Sequence, residues 1–196
     1  MSQVTAPAPA LHPSTARAVA RWAVSFAGFP LGGLAAMLVT GPVDGPAAAV
    51  GGGLLTGAVL GTVQGLALRL DRRRLLGWAA ATAVGLAAGL TAGATAVGYG
   101  TTLGDLAVQG ALTGLAVGAA QGVVLRRTAR PLALAWPAYL AAVWALGWVV
   151  TTSIGVQVEE QFTVFGSAGA LTVTLLTAVL PVVLARSATP LAEKSI

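Results

Sequence analysis

Hydrophobic residues form six long stretches along the chain, and polar residues collect between them. Each stretch is long enough to cross a hydrocarbon core of about 30 Å as a helix that rises about 1.5 Å per residue. The stretches are continuously apolar rather than alternating, which argues against β-barrel strands. The pattern therefore predicts an all-α integral membrane protein with six transmembrane helices, at about 20–40, 47–68, 76–98, 104–125, 134–154 and 163–185.

The composition supports this class. Of the 196 residues, 56% are hydrophobic and only 9% are charged, whereas about 25% of the residues in a soluble domain are charged. Cys is absent, so a disulfide scaffold is excluded. Most of the chain is needed for the predicted six-helix bundle, 20–186. A flexible cytoplasmic tail, 1–19, precedes it and a short cytoplasmic tail, 187–196, follows it.

The distribution of charge predicts the orientation. If the N-terminus is cytoplasmic, all eleven Lys and Arg residues fall on the inner side, and no Lys or Arg falls in an outer loop. Basic clusters beside apolar spans are typical of cytoplasmic loops. We therefore expect both termini to be cytoplasmic, in a plasma membrane that the Arg-, Ala- and Gly-rich composition suggests is bacterial. The net charge of +5 does not indicate nucleic-acid binding, because no aromatic-interleaved basic face is present.

Glycines recur every four residues in the second, third and fourth stretches. Residues four apart share a helical face, so each helix would carry a groove without side chains. Such grooves allow close backbone contact, which drives helix association in lipid. The sequence does not decide whether the grooves meet within one chain or between subunits. The predicted helix-packing residues are Gly53, Gly57, Gly61, Gly65, Gly85, Gly89, Gly93, Gly110, Gly114, Gly118 and Gly122.

An internal repeat links the second and fourth stretches. Residues 53–69 and 110–126 align with nine identities in seventeen positions. Trp22, Trp78 and Trp136 begin the odd-numbered stretches, which indicates three units of two helices, the third with Pro181 in place of the repeated Gln. Because each unit has an even number of spans, the copies enter the membrane in the same direction. The prediction is three parallel helical-hairpin repeats in a pseudo-threefold bundle, with these tryptophans in the interfacial aromatic belt.

Gln64 and Gln121 are the candidate polar site. Each precedes an arginine of the repeat by five residues, which places it about 7.5 Å inside the cytoplasmic boundary. In one interpretation the two amides form interhelical hydrogen bonds that fix helix register. In the other they form a polar ring that gates or binds a solute. A buried amide needs a partner in either case.

Charged residues at the two sides have separate candidate roles. Adjacent outer carboxylates could attract cations, although solvation is the simpler interpretation, and Asp105 is placed to cap the fourth helix. The outer carboxylates are Asp105, Glu159 and Glu160. On the cytoplasmic side a basic cluster could contact anionic lipid head groups, although topology alone would also explain it. The candidate head-group contacts are Arg69, Arg72, Arg73, Arg74, Arg126 and Arg127.

The segments Gln64-Gly-Leu-Ala-Leu-Arg69 and Gln121-Gly-Val-Val-Leu-Arg126 end the two repeat copies. They resemble the Gln-Trp-x-x-Leu-Arg signature that closes the Gly-rich hairpins of uncharacterised bacterial multispanning membrane proteins, with Gly in place of the Trp. The resemblance would cover most of 20–186, and it implies no activity.

These observations predict a protein that is not an enzyme. No predicted span holds Asp, Glu, Lys or His near its middle, and the only His, His12, lies in the N-terminal tail. We therefore expect no catalytic residues, no cofactor and no metal site. The leading hypothesis is a packing or assembly unit of a membrane complex, as an accessory subunit or homo-oligomer, acting through glycine-zipper contacts. The alternative is a small-solute carrier or channel, or the substrate-binding membrane component of a transporter.

Overall fold

The computed structural model describes residues 13–156, 158–159 and 162–187, and within these ranges the chain is built from α-helices. The first helix, α1 (Pro13–Val24), continues through a 3-10 turn (Ser25–Ala27) into α2 (Gly28–Thr40). The others are α3 (Pro46–Ala67), α4 (Arg72–Ala96), α5 (Leu103–Leu125), α6 (Arg130–Ser153), α7 (Ser167–Leu176) and α8 (Val179–Ser187).

Six helical stretches of the described chain are long and apolar enough to cross a membrane. The first combines α1 with α2 and the last combines α7 with α8. This confirms the predicted all-helical, multi-pass class, and no strand occurs in the described ranges. The stretches are Thr15–Thr40, Pro46–Ala67, Arg72–Ala96, Leu103–Leu125, Arg130–Ser153 and Ser167–Arg186.

The two outermost spans begin at different residues from those predicted. The first helix begins at Pro13, so residues 13–19, which the sequence assigned to the N-terminal tail, are helical. A proline fits the first turn of a helix, where its missing N–H has no intrahelical partner to lose. The last span begins at Ser167 rather than near 163. Residues 1–12, with His12, and residues 188–196 of the two predicted tails lie outside the described residues.

Local signals set several helix ends. Asp71 caps α4 by accepting a hydrogen bond from the Arg74 backbone N–H at 3.0 Å. Thr102 and Asp105 form a reciprocal capping box at the start of α5, which satisfies two backbone N–H groups that the helix leaves without partners. Pro46 occupies the first turn of α3. These caps hold the helix ends where the loops between spans are only a few residues long.

Glycines bring α3 and α4 into backbone contact. A methyl carbon added at Gly53 would lie 2.5 Å from Ala87 Cα, and one added at Gly57 would lie 2.5 Å from Ala83 Cα. No side chain fits at such a distance, so only glycine permits this approach. The contact moves towards the start of α4 as it moves towards the end of α3, so the two helices run antiparallel.

The same kind of contact joins the next two helix pairs. A methyl carbon at Gly89 would lie 2.6 Å from Thr113 Cα, across the α4–α5 contact. A methyl carbon at Gly118 would lie 2.6 Å from Pro137 Cα, across the α5–α6 contact. Gly114 faces the Leu140 carbonyl in the same way. The glycine grooves that the sequence left unassigned therefore meet within one chain.

The six spans form a closed sequence of contacts. Each span packs on the next, and α1 also contacts α7 and α8 of the last span. Bulky side chains fill the interior, whereas leucines such as Leu38 and Leu134, 77% and 71% exposed, cover the outside. The most deeply buried large side chains are Trp22, Trp78, Trp136, Leu60, Leu86, Leu90, Leu106 and Leu180.

The last span is broken between α7 and α8. Pro181 has no N–H to donate to the carbonyl of Thr177, and the chain tightens there. The Ala178 N–H donates to Leu175 at 3.2 Å and the Leu180 N–H donates to Thr177 at 3.0 Å, both three residues back. In a continuous helix, the Ala178 N–H would instead bond the carbonyl of Thr174. The break therefore releases the Thr174 carbonyl for another donor.

Candidate functional site: a glutamine–tryptophan layer and an arginine-lined cavity

The structure brings the two predicted glutamines together. Gln64 on α3 and Gln121 on α5 are 8% and 2% exposed. The Gln121 amide Nε2 donates to Gln64 Oε1 at 3.4 Å and to Thr82 Oγ1 on α4 at 3.0 Å. Three helices are thus joined by two hydrogen bonds at one level of the bundle.

A tryptophan donates to each glutamine. The indole Nε1 of Trp78 donates to Gln64 Oε1 at 3.2 Å, and that of Trp136 donates to Gln121 Oε1 at 2.8 Å. The predicted position of these tryptophans in an interfacial belt is wrong, because both rings are 1% exposed. An indole carries one N–H donor on a large apolar ring, so a buried ring needs a nearby acceptor. The repeated glutamine supplies it.

Trp22 makes the corresponding contact at the last span. Its indole Nε1 donates to the Thr174 carbonyl at 3.0 Å and to Thr177 Oγ1 at 3.2 Å. The last span has Pro181 in place of the glutamine, and the helix break provides the acceptors instead. We call these six residues, Trp22, Trp78, Trp136, Gln64, Gln121 and Thr177, the Gln–Trp layer.

The hydrogen bonds of the Gln–Trp layer are suited to fixing helix register. Both glutamine oxygens accept an indole N–H, and the Gln121 amide also donates twice. A buried polar network with its partners in place specifies one helix arrangement. The interhelical hydrogen bonds of the first interpretation are therefore present.

A cavity of about 1200 Å³ opens next to this layer, between the α3–α4 turn and the α5–α6 turn. We call the end of the bundle that holds this cavity the arginine end. The opposite end, with Asp105 and Glu159, is the acidic end. Trp78, Leu68, Leu125 and Leu184 give the cavity apolar walls. The basic side chains in its lining are Arg69, Arg73, Arg74, Arg126 and Arg127.

The lining of this cavity is strongly basic. Among the described residues, Asp71 is the one carboxylate that lines it, and its Oδ2 pairs with Arg74 Nε at 3.3 Å. Five of the six predicted head-group arginines line the cavity. Arg72 is exposed beside them but is not part of the lining. The site can therefore attract an anion, and its apolar wall can hold a hydrocarbon group.

The predicted outer carboxylates do not form a cluster in the described residues. Asp105 is used at the start of α5, where its Oδ2 accepts from Thr102 Oγ1 at 2.7 Å. Glu159 is exposed, and Glu160 lies outside the described residues. In the described ranges, no three His, Cys, Asp or Glu residues are placed to hold a metal ion.

Sequence reasoning missed the segment before α7. Thr163–Phe165 is not helical and enters the bundle, where the Phe165 ring lies 5.3 Å from Trp144 and 5.4 Å from Phe29 between centroids. The Thr56 hydroxyl donates to Thr163 Oγ1 at 2.9 Å. A second cavity of about 360 Å³ lies beside this segment at the acidic end. The signal available in the sequence was the aromatic pair Phe162 and Phe165 between polar residues.

Gln109 was also missed, because it lies outside the repeated Gln–Arg segment. It is 1% exposed on α5, and its Oε1 has no hydrogen-bond partner in the described part of the chain. The corresponding position of the other repeat copy is Gly52, so the repeat gave no indication of a polar residue here.

These features define a class: an all-helical protein whose six apolar spans fit a membrane, with a hydrogen-bonded polar layer and a basic cavity at one end. No protein-family model, curated protein or solved structure matches the chain.

Proposed function

We propose that this chain is a non-enzymatic, multi-pass protein of the bacterial plasma membrane that serves as an accessory subunit of a membrane complex. Both termini and the arginine end face the cytoplasm. The observation that carries the proposal is the filled interior, where the Gln–Trp layer closes the bundle with Trp78 and Trp136 each 1% exposed. The glycine grooves are used inside the chain, from Gly57 against Ala83 to Gly118 against Pro137, so partners contact the outer faces of the bundle rather than its glycines.

The Gln–Trp layer supports a bundle of three parallel hairpin repeats. Trp78 of the second unit donates to Gln64 of the first, and Trp136 of the third donates to Gln121 of the second. Trp22 of the first unit donates to Thr177 of the third. Each unit thus binds the preceding one in a cyclic order, as expected for parallel copies around one axis.

Site-specific photo-crosslinking in native membranes tests the accessory-subunit proposal. A photoreactive residue is placed at Leu38 or Leu134, which are 77% and 71% exposed, and at buried Leu60 as the control. We expect a discrete protein adduct from at least one outer position, and none from Leu60. Crosslinks to lipid alone at the outer positions, together with monomeric migration on native gels, would contradict the proposal.

Transport is a second candidate function, favoured by the positions of the two cavities. The cavity of about 1200 Å³ at the arginine end and the cavity of about 360 Å³ at the acidic end lie on opposite sides of the Gln–Trp layer. A carrier would open this layer between them. Proteoliposomes with the chain and with Gln64→Ala/Gln121→Ala test it. Uptake of a solute by the parent chain that the double variant abolishes, while folding is unchanged, would favour transport over the accessory role.

A further inference from the structure

The arginine-lined cavity combines two features that membrane topology does not require together. Arginines from the start of α4 and from the α5–α6 turn, such as Arg73 and Arg127, converge on one space of about 1200 Å³. That space has an apolar wall that includes Trp78 and Leu184. The positive-inside tendency concerns how many basic residues lie on one side and not where their side chains meet.

We propose that this cavity binds an anionic phospholipid of the adjacent leaflet, with the phosphate held by the arginines and the acyl-glycerol part against the apolar wall. A guanidinium presents a planar set of N–H donors that matches phosphate oxygens in pairs. Basic pockets between transmembrane helices at the cytoplasmic side suit such head groups. The proposal is independent of the accessory-subunit role.

The charge balance of the cavity favours an anionic occupant. Within the described ranges, five arginines line it against one carboxylate, Asp71. That carboxylate is already engaged, since it caps α4 at the Arg74 N–H and pairs with the Arg74 guanidinium. Arg126 and Arg127 of the α5–α6 turn form no ion pair within the described part of the chain. A phosphate would supply the missing negative charge.

The apolar part of the lining favours a lipid over a soluble phosphate. Val123 lines the cavity and is 58% exposed on the outer surface of α5. The cavity is therefore continuous with the surface that faces acyl chains. Leu125 and Leu184 extend the apolar wall inwards. Free phosphate gains nothing from these side chains, whereas the glycerol and first methylenes of a lipid bury apolar surface there.

The backbone at Arg69, beside the cavity, is strained. Its φ is +56°, in the left-handed region that favours glycine. The Leu70 N–H donates to the Gly65 carbonyl at 3.0 Å, which closes the turn that usually has glycine at this position. An arginine held in an unfavourable conformation at the edge of a cavity points to a function for its side chain.

Two double variants distinguish lipid binding in the cavity from a general effect of positive charge at this end of the bundle. Arg73→Gln/Arg127→Gln removes two arginines from the lining. Arg72→Gln/Arg130→Gln, the matched control, removes the same charge from the first residues of α4 and α6, which lie beside the cavity but outside its lining. The full chain is purified in neutral detergent, and bound lipid is counted by native mass spectrometry during titration with phosphatidylglycerol or with phosphatidylcholine of the same acyl chains.

We expect the parent chain to prefer phosphatidylglycerol, and the lining variant to bind it roughly 25-fold more weakly, because each arginine near an anionic lipid strengthens binding about fivefold. The control variant should lose much less affinity than the lining variant, because its two arginines lie outside the lining. Arg73→Lys/Arg127→Lys, which keeps the charge, should show an intermediate loss, since lysine cannot pair in a bidentate way.

Three results would overturn the proposal. Equal losses in the lining variant and the control would mean that only total charge matters. Equal binding of phosphatidylglycerol and phosphatidylcholine would remove the head-group preference. Displacement of the lipid by glycerol 3-phosphate or inorganic phosphate at the same concentration would indicate a site for a soluble anion. Thermal denaturation of every variant confirms that the compared proteins are folded.

Discussion

The indole N–H of Trp22 donates to the carbonyl oxygen of Thr174 at 3.0 Å, across 152 residues of sequence. This hydrogen bond joins the first span to the last. It exists because the Ala178 N–H, the usual partner of that carbonyl, is directed to Leu175 instead. The irregular last span thereby supplies the acceptor for Trp22, as Gln64 and Gln121 do for the other two tryptophans.

Removal of the Trp22 N–H should weaken the contact between the first span and the last. We expect Trp22→Phe to lower the free energy of unfolding in detergent by about 1 kcal/mol for the buried hydrogen bond, beyond the effect of the smaller ring. Trp148→Phe is the control for ring size, because that ring is equally buried at 2%. Equal losses in the two variants would show that ring size alone matters.

The two glutamines should behave as a coupled pair. Gln121→Leu removes the acceptor of Trp136 and a donor to Gln64, so we expect a loss of about 1–3 kcal/mol for the groups left unpaired. Gln64→Leu/Gln121→Leu should cost less than the sum of the single variants, because residues in one network are not additive. Unfolding titrations of all four proteins give the coupling energy. Strict additivity would contradict the network.

Glycine substitutions should have opposite signs inside and outside the helix contacts. A methyl at Gly57 would lie 2.5 Å from Ala83 Cα, so Gly57→Ala must push the helices apart, at a cost of about 1–3 kcal/mol. Gly57→Leu should disrupt folding. Gly77 lies in α4 with nothing within 4 Å of an added methyl, so Gly77→Ala should raise stability by up to about 1 kcal/mol. Thermal stability in detergent measures both. A stable Gly57→Ala bundle would count against the close approach.

Substitutions at Arg69 should affect the stability of the turn and the binding of lipid in opposite directions. With φ at +56°, replacement by glycine should stabilise the turn by roughly 1 kcal/mol. The same Arg69→Gly variant should retain less phosphatidylglycerol, because it loses a guanidinium of the cavity. Arg69→Lys keeps the backbone strain and the charge as a control. If Arg69→Gly is neither more stable nor poorer in bound lipid, the interpretation of this turn is wrong.

The sequence predicted the six spans well because span length and apolarity depend on the chain alone. The glycine spacing likewise showed which faces lack side chains, but not which helix covers each face. That depends on tertiary packing, such as Gly89 against Thr113. The positions of the tryptophans could not be predicted from frequencies, which place tryptophan at the membrane interface. Their burial depends on acceptors that lie on other spans.

The last span shows both the reach and the limit of sequence reasoning. Pro181 was visible and implies a missing backbone hydrogen bond four residues earlier. The shift of the Ala178 N–H to Leu175, which lets the Thr174 carbonyl accept from Trp22, requires the fold. The entry of Thr163–Phe165 into the bundle also requires it, because Phe165 is held by Phe29 and Trp144 on other spans. The apolar pattern alone extended the helix across this segment.

The link between Trp22 and Thr174 sets an order for biosynthesis. The ribosome synthesises Trp22, the donor, early in translation and Thr174, the acceptor, only near the end. During most of translation, the indole N–H of Trp22 in the first span is therefore without its Thr174 acceptor. A nascent chain that stops before Thr174 has neither this hydrogen bond nor the contacts of α1 with α7 and α8, so its first span stays without its last neighbour.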